Sequence, residues 1–300
     1  TIAGDASPLI AGDIWYSSTT KKIRGAKLVG AWASGGNLNQ ARTALGGAGT
    51  QTAGLAFGGA NTYAVTETYD GSTWTEVGDM NSGRNSHGNA GIQTAAIAIG
   101  GRIAPDNVGI TETWNGSTWT EVADLTTART GLEGAGTVTA AIGCGGYTTA
   151  NVGIAELWNG ASWTEVADFN TARQRTAACG TSTAALCIAG TQDPPTLANV
   201  EQWDGSSWTE IADVNTAREN PGGAGTTTAA LCFGGTSTSA LTEEWDGSSW
   251  TEVADLTNGR GSGGDTGTST LALYAGGSSP TVATTEEWTK AVAASSFTSS

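Results

Sequence analysis

Residues 129–168 read RTGLEGAGTVTAAIGCGGYTTANVGIAELWNGASWTEVAD, and the rest of the chain repeats this stretch with variations. Its landmarks are Arg129, the pair Gly145-Gly146, Glu156 with Trp158 two residues later, and Trp163 after an Asn159-Gly160 turn. The arginine returns at Arg42, Arg84, Arg129, Arg173, Arg218 and Arg260, at intervals of 42, 45, 44, 45 and 42 residues. Ten residues before each stands a tryptophan: Trp32, Trp74, Trp119, Trp163, Trp208 and Trp250. The Gly-Gly slot departs from pattern once, at Ala189-Gly190, and the aromatic after the glutamate departs once, at Tyr69.

Inside the unit, 134–136 and 140–144 are short apolar strands joined by a Thr-rich turn, and Gly145-Gly146 ends the second. A variable loop leads to the strand at 155–158, and the Asn-Gly turn, which needs positive φ, leads into the strand at 162–166. Four short antiparallel strands in each of six units of about 40–50 residues describe an all-β fold, a six-bladed β-propeller. A lone blade cannot bury its faces, so the ring must close. The N-terminal piece supplies a fourth-strand Trp32 with no strands before it, and the C-terminal piece stops after the third-strand Trp288. An N-terminal strand is therefore expected to complete the last blade.

Composition taken without position argues otherwise. Leu, Ile, Val and Phe total 45 of 300 residues, and less than about 20% of these types together with a net charge of −15 is the usual mark of disorder. Twelve tryptophans resist that conclusion, since eleven of them occupy repeat positions and only Trp15 lies outside the register. With 13 basic against 28 acidic residues, the chain repels phosphate backbones, so nucleic acid is a poor partner. No apolar run approaches the ~18 residues of a membrane span, and the start lacks a signal-peptide pattern. The chain begins at Thr1 without Met, as a processed protein or a fragment does. Cys144, Cys179, Cys187 and Cys232 fall in strand slots that other repeats fill with apolar residues, which reads as buried free thiols rather than a disulfide or metal site.

The order Arg, Gly-Gly, aromatic, Trp resembles the kelch repeat over residues 30–290. Kelch propellers include enzymes, adaptors and lectin-like modules, so the resemblance implies the fold and leaves function to the site. Copper oxidases of this type need two imidazoles, and His87 is the single histidine here. The Asp-Gly-Ser-Ser-Trp hairpins resemble the Asp-box of sialidases but lack its residue between Asp and Gly, and no cluster of non-repeated arginines is available. The reading therefore calls for no catalytic residues, no cofactor and no metal.

What recurs in all six units is expected to be scaffold: the six arginines should pair with the six third-strand glutamates. What differs between units is where a specific site can lie. Variability sits in the five residues after each arginine and in the loop after each Gly-Gly, two segments that emerge on the same face of a four-stranded blade. The candidates for a ligand-binding face are His87, Asn89, Glu133, Gln174, Arg175, Glu219, Asn220 and Asp265, with Arg102, Asp106, Tyr147 and Asp193 from the longer loops. Unconstrained drift of loops is the competing explanation. A carboxylate pair for glycoside hydrolysis would need Glu133, Glu219 or Asp265 about 5–10 Å apart, from different blades.

Residues 1–29 form a separate segment. They hold four of the 13 basic residues, which leaves 9 basic against 26 acidic in the remainder, and 13–24 alternates around a polar turn as a hairpin does. The stretch Gly-Asp-Ile-Trp-Tyr-Ser-Ser-Thr-Thr at 12–20 resembles segments of bacteriophage tail-fibre and other virion surface proteins. That resemblance implies attachment to other virion proteins through 1–29, display at a virion surface or outside the cell, and a host glycan or protein as ligand, with homo-oligomerisation left open. The alternatives are a purely structural particle protein and a secreted carbohydrate-active enzyme. The expected division is a 1–29 attachment hairpin, a 30–290 propeller and a polar tail at 291–300.

Overall fold

Six sheets arranged around an axis make up the computed structural model, which describes residues 10–17, 22–235, 239–278 and 280–296. It is a six-bladed β-propeller. Blade 1 is built from Gly46–Thr50, Ala53–Phe57, Thr66–Tyr69 and Trp74–Glu76, and the next four blades repeat this antiparallel order. The inner strands pack side by side to form the channel wall, and glycine is what permits it. A Cβ on Gly47 would lie 2.6 Å from the backbone of Asp265 in the neighbouring blade.

Blade 6 is closed by both ends of the chain. Gly264–Gly267, Leu271–Ala275 and Thr285–Ser296 supply three strands, and the fourth is Lys22–Ser34, paired antiparallel from Ser34↔Glu286 to Arg24↔Ser296. This pairing runs beyond the ring. Thr285–Ser296 includes 291–296, expected to be tail, because 24–29 offers it a partner edge; 297–300 lie outside the described residues. Ile14–Ser17 adds a fifth strand on Lys22–Ser34, forming the expected hairpin, whose turn at 18–21 lies outside the described residues with 1–9.

Each arginine is a joint between blades. Its side chain lies buried against the third-strand glutamate of its own blade: Arg42–Glu67 (2.7 Å), Arg84–Glu112, Arg129–Glu156, Arg173–Glu201, Arg218–Glu243 and Arg260–Glu286. Its backbone carbonyl accepts the N–H of the second Gly-Gly residue in the preceding blade, at 2.8–3.0 Å in all six cases, from Gly59 to Arg84 round to Gly277 to Arg42. The glutamate's second oxygen accepts a backbone N–H from the link ahead of the blade, Asn39 on Glu67 and Asn81 on Glu112 among them. Burial pulls the Arg42 and Arg84 guanidinium pKa values down, and their glutamates oppose that pull.

A second closed circuit runs round the channel mouth. Two residues beyond each arginine stands a residue with φ between 51° and 63°: Ala44, Ser86, Gly131, Arg175, Asn220 and Ser262. The N–H of each donates to the carbonyl of its counterpart in the preceding blade, at 2.7–3.0 Å, and Ala44 to Ser262 closes the hoop. Five of the six are not glycine, although the left-handed region costs such residues roughly 1–2 kcal/mol each. The hoop's hydrogen bonds hold them there.

The core lies between blades. Third- and fourth-strand aromatics face each other across the strand pair, as in Trp114–Trp119 (centroids 5.5 Å apart) and Trp203–Trp208 (5.4 Å), and each cluster adds strand residues of the adjoining blade. The four cysteines are buried in these clusters or beside them on inner strands. Fourth-strand tryptophans also reach across blades. The indole N–H of Trp32, Trp74, Trp119 and Trp163 donates to the hydroxyl of Thr242, Thr285, Thr66 and Thr111, the third-strand residue before the glutamate in the preceding blade. In two blades that slot is Ala155 or Val200. Trp250 turns to the Ala212 carbonyl instead, and Trp208 Nε1 is buried without a partner among the described residues.

Two stability outcomes are expected. Ala155→Thr restores the missing acceptor for Trp208 and should raise unfolding free energy by about 1 kcal/mol, seen as a higher denaturant midpoint. Arg129→Ala strands Glu156 as a buried, unpaired carboxylate and should cost about 3–5 kcal/mol, seen as a clear drop in melting temperature.

Candidate functional site

The link before each inner strand and the loop between second and third strands emerge together on one face. The blades differ there. In blades 2 and 4 the second and third strands are lengthened into hairpins, Ala95–Ile103 with Asp106–Trp114 and Ala184–Thr191 with Thr196–Trp203. They rise on either side of the shorter blade 3 loop at 147–151 and leave a cleft of about 730 Å³. Six of the twelve candidates line it: Arg102, Asp106, Tyr147, Gln174, Arg175 and Asp193.

Hydrogen bonds between loops set the cleft's shape. Asn107 Nδ2 donates to the Tyr147 and Thr148 carbonyls, and Asn151 Nδ2 to the Gln192 carbonyl, which ties blade 2 to 3 and blade 3 to 4. One wall is a charge network. Gln174 Nε2 donates to Asp193 Oδ2 at 2.7 Å, and Arg175 Nη1 donates to Asp193 Oδ1 at 3.3 Å and to Glu219 Oε2 at 3.2 Å. Glu219 thus supports the cleft without lining it. Arg102 and Asp106 stand exposed on the opposite wall, either side of the hairpin tip, and no ion pair joins them to described residues.

The other candidates are placed elsewhere. His87 is buried rather than displayed: its ring stacks on Phe57 with centroids 5.3 Å apart, and Leu45 and Leu132 fill the same slot in blades 1 and 3. Desolvation, with Arg84 adding to it, pushes the His87 pKa down to about 3. Asn89 and Asp265 occupy one slot on inner strands and serve the scaffold, accepting the N–H of Gly47 (3.3 Å) and of Gly223 (2.7 Å) from the preceding blade. Asn220 belongs to the hoop.

Glu133 and Asp265 both face the channel mouth, a void of about 40 Å³. Burial raises both carboxyls, Asp265 to about 7, and the charge of Asp265 adds to the rise at Glu133. A sugar ring does not fit in that volume, so this pair does not hold a glycoside between acid and base. Among the described residues no group of three or more His, Cys, Asp or Glu side chains is placed to hold a metal ion.

Sequence reasoning missed the amides that form the cleft, Asn107, Asn151 and Gln192. The signal for them was loop length. Blades 2 and 4 carry the longer segments between Gly-Gly and glutamate, and those are the segments that build the walls.

Comparison with solved structures agrees with the ring. The structure titled "Structure of YjhT" superposes with a TM-score of 0.71, covering 86% of this chain and 99% of that one at 12% identity, a likeness of fold alone. No protein-family model matches the sequence, and no curated protein matches it.

A pH experiment tests the placement of His87. Its folded pKa lies below the unfolded 6.5, so its contribution to stability is complete above pH 6.5 and is lost as pH falls toward 3, by up to about 1.4 kcal/mol per pH unit. Asp265 has the opposite sign: its raised pKa gives stability complete below 3.8 and lost as pH rises toward 7. His87→Leu should therefore remove the acid loss and leave unfolding free energy flat, or rising, as pH is lowered from 6.5 to about 4. A profile identical to that of the unsubstituted chain would put His87 at the surface.

Proposed function

We propose that this chain is a non-enzymatic display module of a bacteriophage particle, a tail-fibre or surface adhesin exposed outside the cell. It binds a host glycan or protein through the cleft over blades 2–4. The observation that carries the reading is the segregation of blade-specific polar side chains. The sixfold arginines, glutamates and tryptophans are consumed by the scaffold, whereas Arg102, Asp106, Tyr147, Gln174, Arg175 and Asp193 converge on one concave surface. A concave site with a few convergent polar groups is the usual form of a ligand seat. The kelch-like order of landmarks and the virion-like stretch at 12–20 support the setting.

A specific observation favours a second role for the ends of the chain, attachment to other particle proteins. Ile14, Tyr16, Ile23 and Val29 are exposed on one face of the sheet that extends beyond blade 6, with Lys27 on that face and Lys22 and Arg24 on the other making the sheet basic beside an acidic ring. Apolar surface of this kind marks a contact site. In a purely structural particle protein this would be the main contact and the cleft would be idle.

Labelled protein applied to host cells separates the two roles. Gln174→Ala combined with Arg175→Ala should weaken cell binding by about tenfold or more, with incorporation into particles unchanged. Removing residues 1–21, which leaves Lys22–Ser34 in place to close the ring, should abolish incorporation and spare cell binding. Full cell binding by the double variant would leave the cleft without a role.

A further inference from the structure

The charges and hydrogen-bonding groups of the cleft narrow its ligand class, a step that rests on the cleft being the ligand seat. We infer that the cleft over blades 2–4 takes an uncharged oligosaccharide, held off the propeller axis by amides, carboxylates and guanidinium groups from three blades.

Charge balance comes first. Arg175 is committed to Asp193 and Glu219, so that wall already holds one more carboxylate than guanidinium. Across the cleft, Arg102 and Asp106 offer one charge of each sign a few residues apart. Among the described residues of the lining, an anionic ligand would meet one cation outside the Arg175 network, Arg102, with Asp106 across the same hairpin tip, on a chain whose net charge is −15. A cationic ligand would meet Arg102. The charged side chains that line the cleft balance two against two, Arg102 and Arg175 with Asp106 and Asp193, and the surplus carboxylate, Glu219, lies behind the wall rather than in it, so a neutral ligand loses no attraction to this lining.

The hydrogen-bonding pattern is the second observation. The lining interleaves donors and acceptors within one surface: Asn107 and Asn151 spend Nδ2 on neighbouring loops and Gln192 Nε2 donates to the Ala172 carbonyl, while the amide oxygens of Asn107 and Gln192 accept from no described residue and Arg102 adds exposed N–H donors. Each sugar hydroxyl both donates and accepts, and a mixed surface serves both functions. Asn151 Oδ1 is a buried acceptor with no partner among the described residues, its Nδ2 being taken by the Gln192 carbonyl. An unsatisfied buried acceptor is costly, which marks the Asn151 loop as the strained part of the cleft floor rather than as an open ligand contact.

The third observation weighs against a protein ligand. Protein interfaces are anchored by large apolar or aromatic side chains set in pockets. Among the described residues the exposed ones lie on the terminal sheet or at Ile10 just ahead of it, or at Ile92 and Leu271 beside the first turn of their blades, on the opposite face. The cleft presents only half-buried Tyr147, Pro105 and Ala150 as apolar surface, enough for the C–H side of a sugar ring. The channel mouth is too small to compete for that ring.

The test uses the full chain on a printed array that carries neutral hexose and N-acetylhexosamine oligosaccharides beside sialylated and uronic-acid-containing ones. Binding should be confined to neutral glycans and hold at high salt, because it does not depend on net charge. Arg102→Ala with Asp106→Ala, both on an exposed hairpin, should lower it at least about tenfold without moving the melting midpoint. Binding confined to acidic glycans, binding quenched by salt, or full binding by the double variant would each overturn the inference. Cleft-dependent binding to host cells with no glycan bound on the array would overturn it too, while leaving the display reading in place. Absence of cell binding altogether would instead remove the display reading.

Discussion

The ring depends on one residue type placed at one joint. Each repeated arginine answers to two blades at once, by its guanidinium to the glutamate of its own blade and by its carbonyl to the Gly-Gly turn of the blade before. A buried ion pair is weak evidence for net stability, because desolvation offsets much of the attraction. Its value here is geometric. The guanidinium also donates to carbonyls at the end of the second strand, as Arg84 does to Gly100 and Ala98, so it fixes the link, the second strand and the third strand together. With the arginine so held, the residue two positions on is delivered into the hoop, and six such deliveries close it.

This joint explains why the aliphatic content is low. A propeller of this kind has no single large core; it has six interfaces, each filled by an aromatic pair from one blade and a few strand residues of the blade before it. Around the channel, inner strands approach until their backbones nearly touch, and glycine and alanine are the residues that allow it. The shortage of Leu, Ile, Val and Phe reflects interfaces narrow enough to be filled by tryptophan. A composition rule counts residues without the positions that make them sufficient.

Much of this was legible in the repeats. Equal number and constant position within the repeat of Arg42 through Arg260 and of the third-strand glutamates predicted their pairing, and Trp32 without preceding strands predicted how the ring closes. The site was harder to read, for a physical reason. Positions after each arginine vary in side chain, yet their backbone is constrained to a closed hydrogen-bonded hoop, so variation there does not by itself report a ligand surface. His87 varies with Leu45 and Leu132 because its slot is interior, and Asn89 and Asp265 because they clamp a neighbouring strand. Strand alternation decides which variable residue faces out, and a five-residue link with a left-handed kink has no simple alternation to read.

The same separation of backbone from side chain shapes what the face can do. A hoop that needs only N–H and C=O groups and a tolerated positive φ leaves the side chains at Ser86, Arg175, Asn220 and Ser262 free to differ without loosening the ring. Arg175 shows how far this freedom extends: its backbone closes the hoop while its guanidinium organises Asp193 and Glu219 in the cleft wall. Hairpins lengthened in blades 2 and 4 then add depth where a flat propeller face would have none. In the proposed display role, specificity would be carried by parts that bear little of the ring's stability, so the cleft could vary while the arginine joints stay fixed.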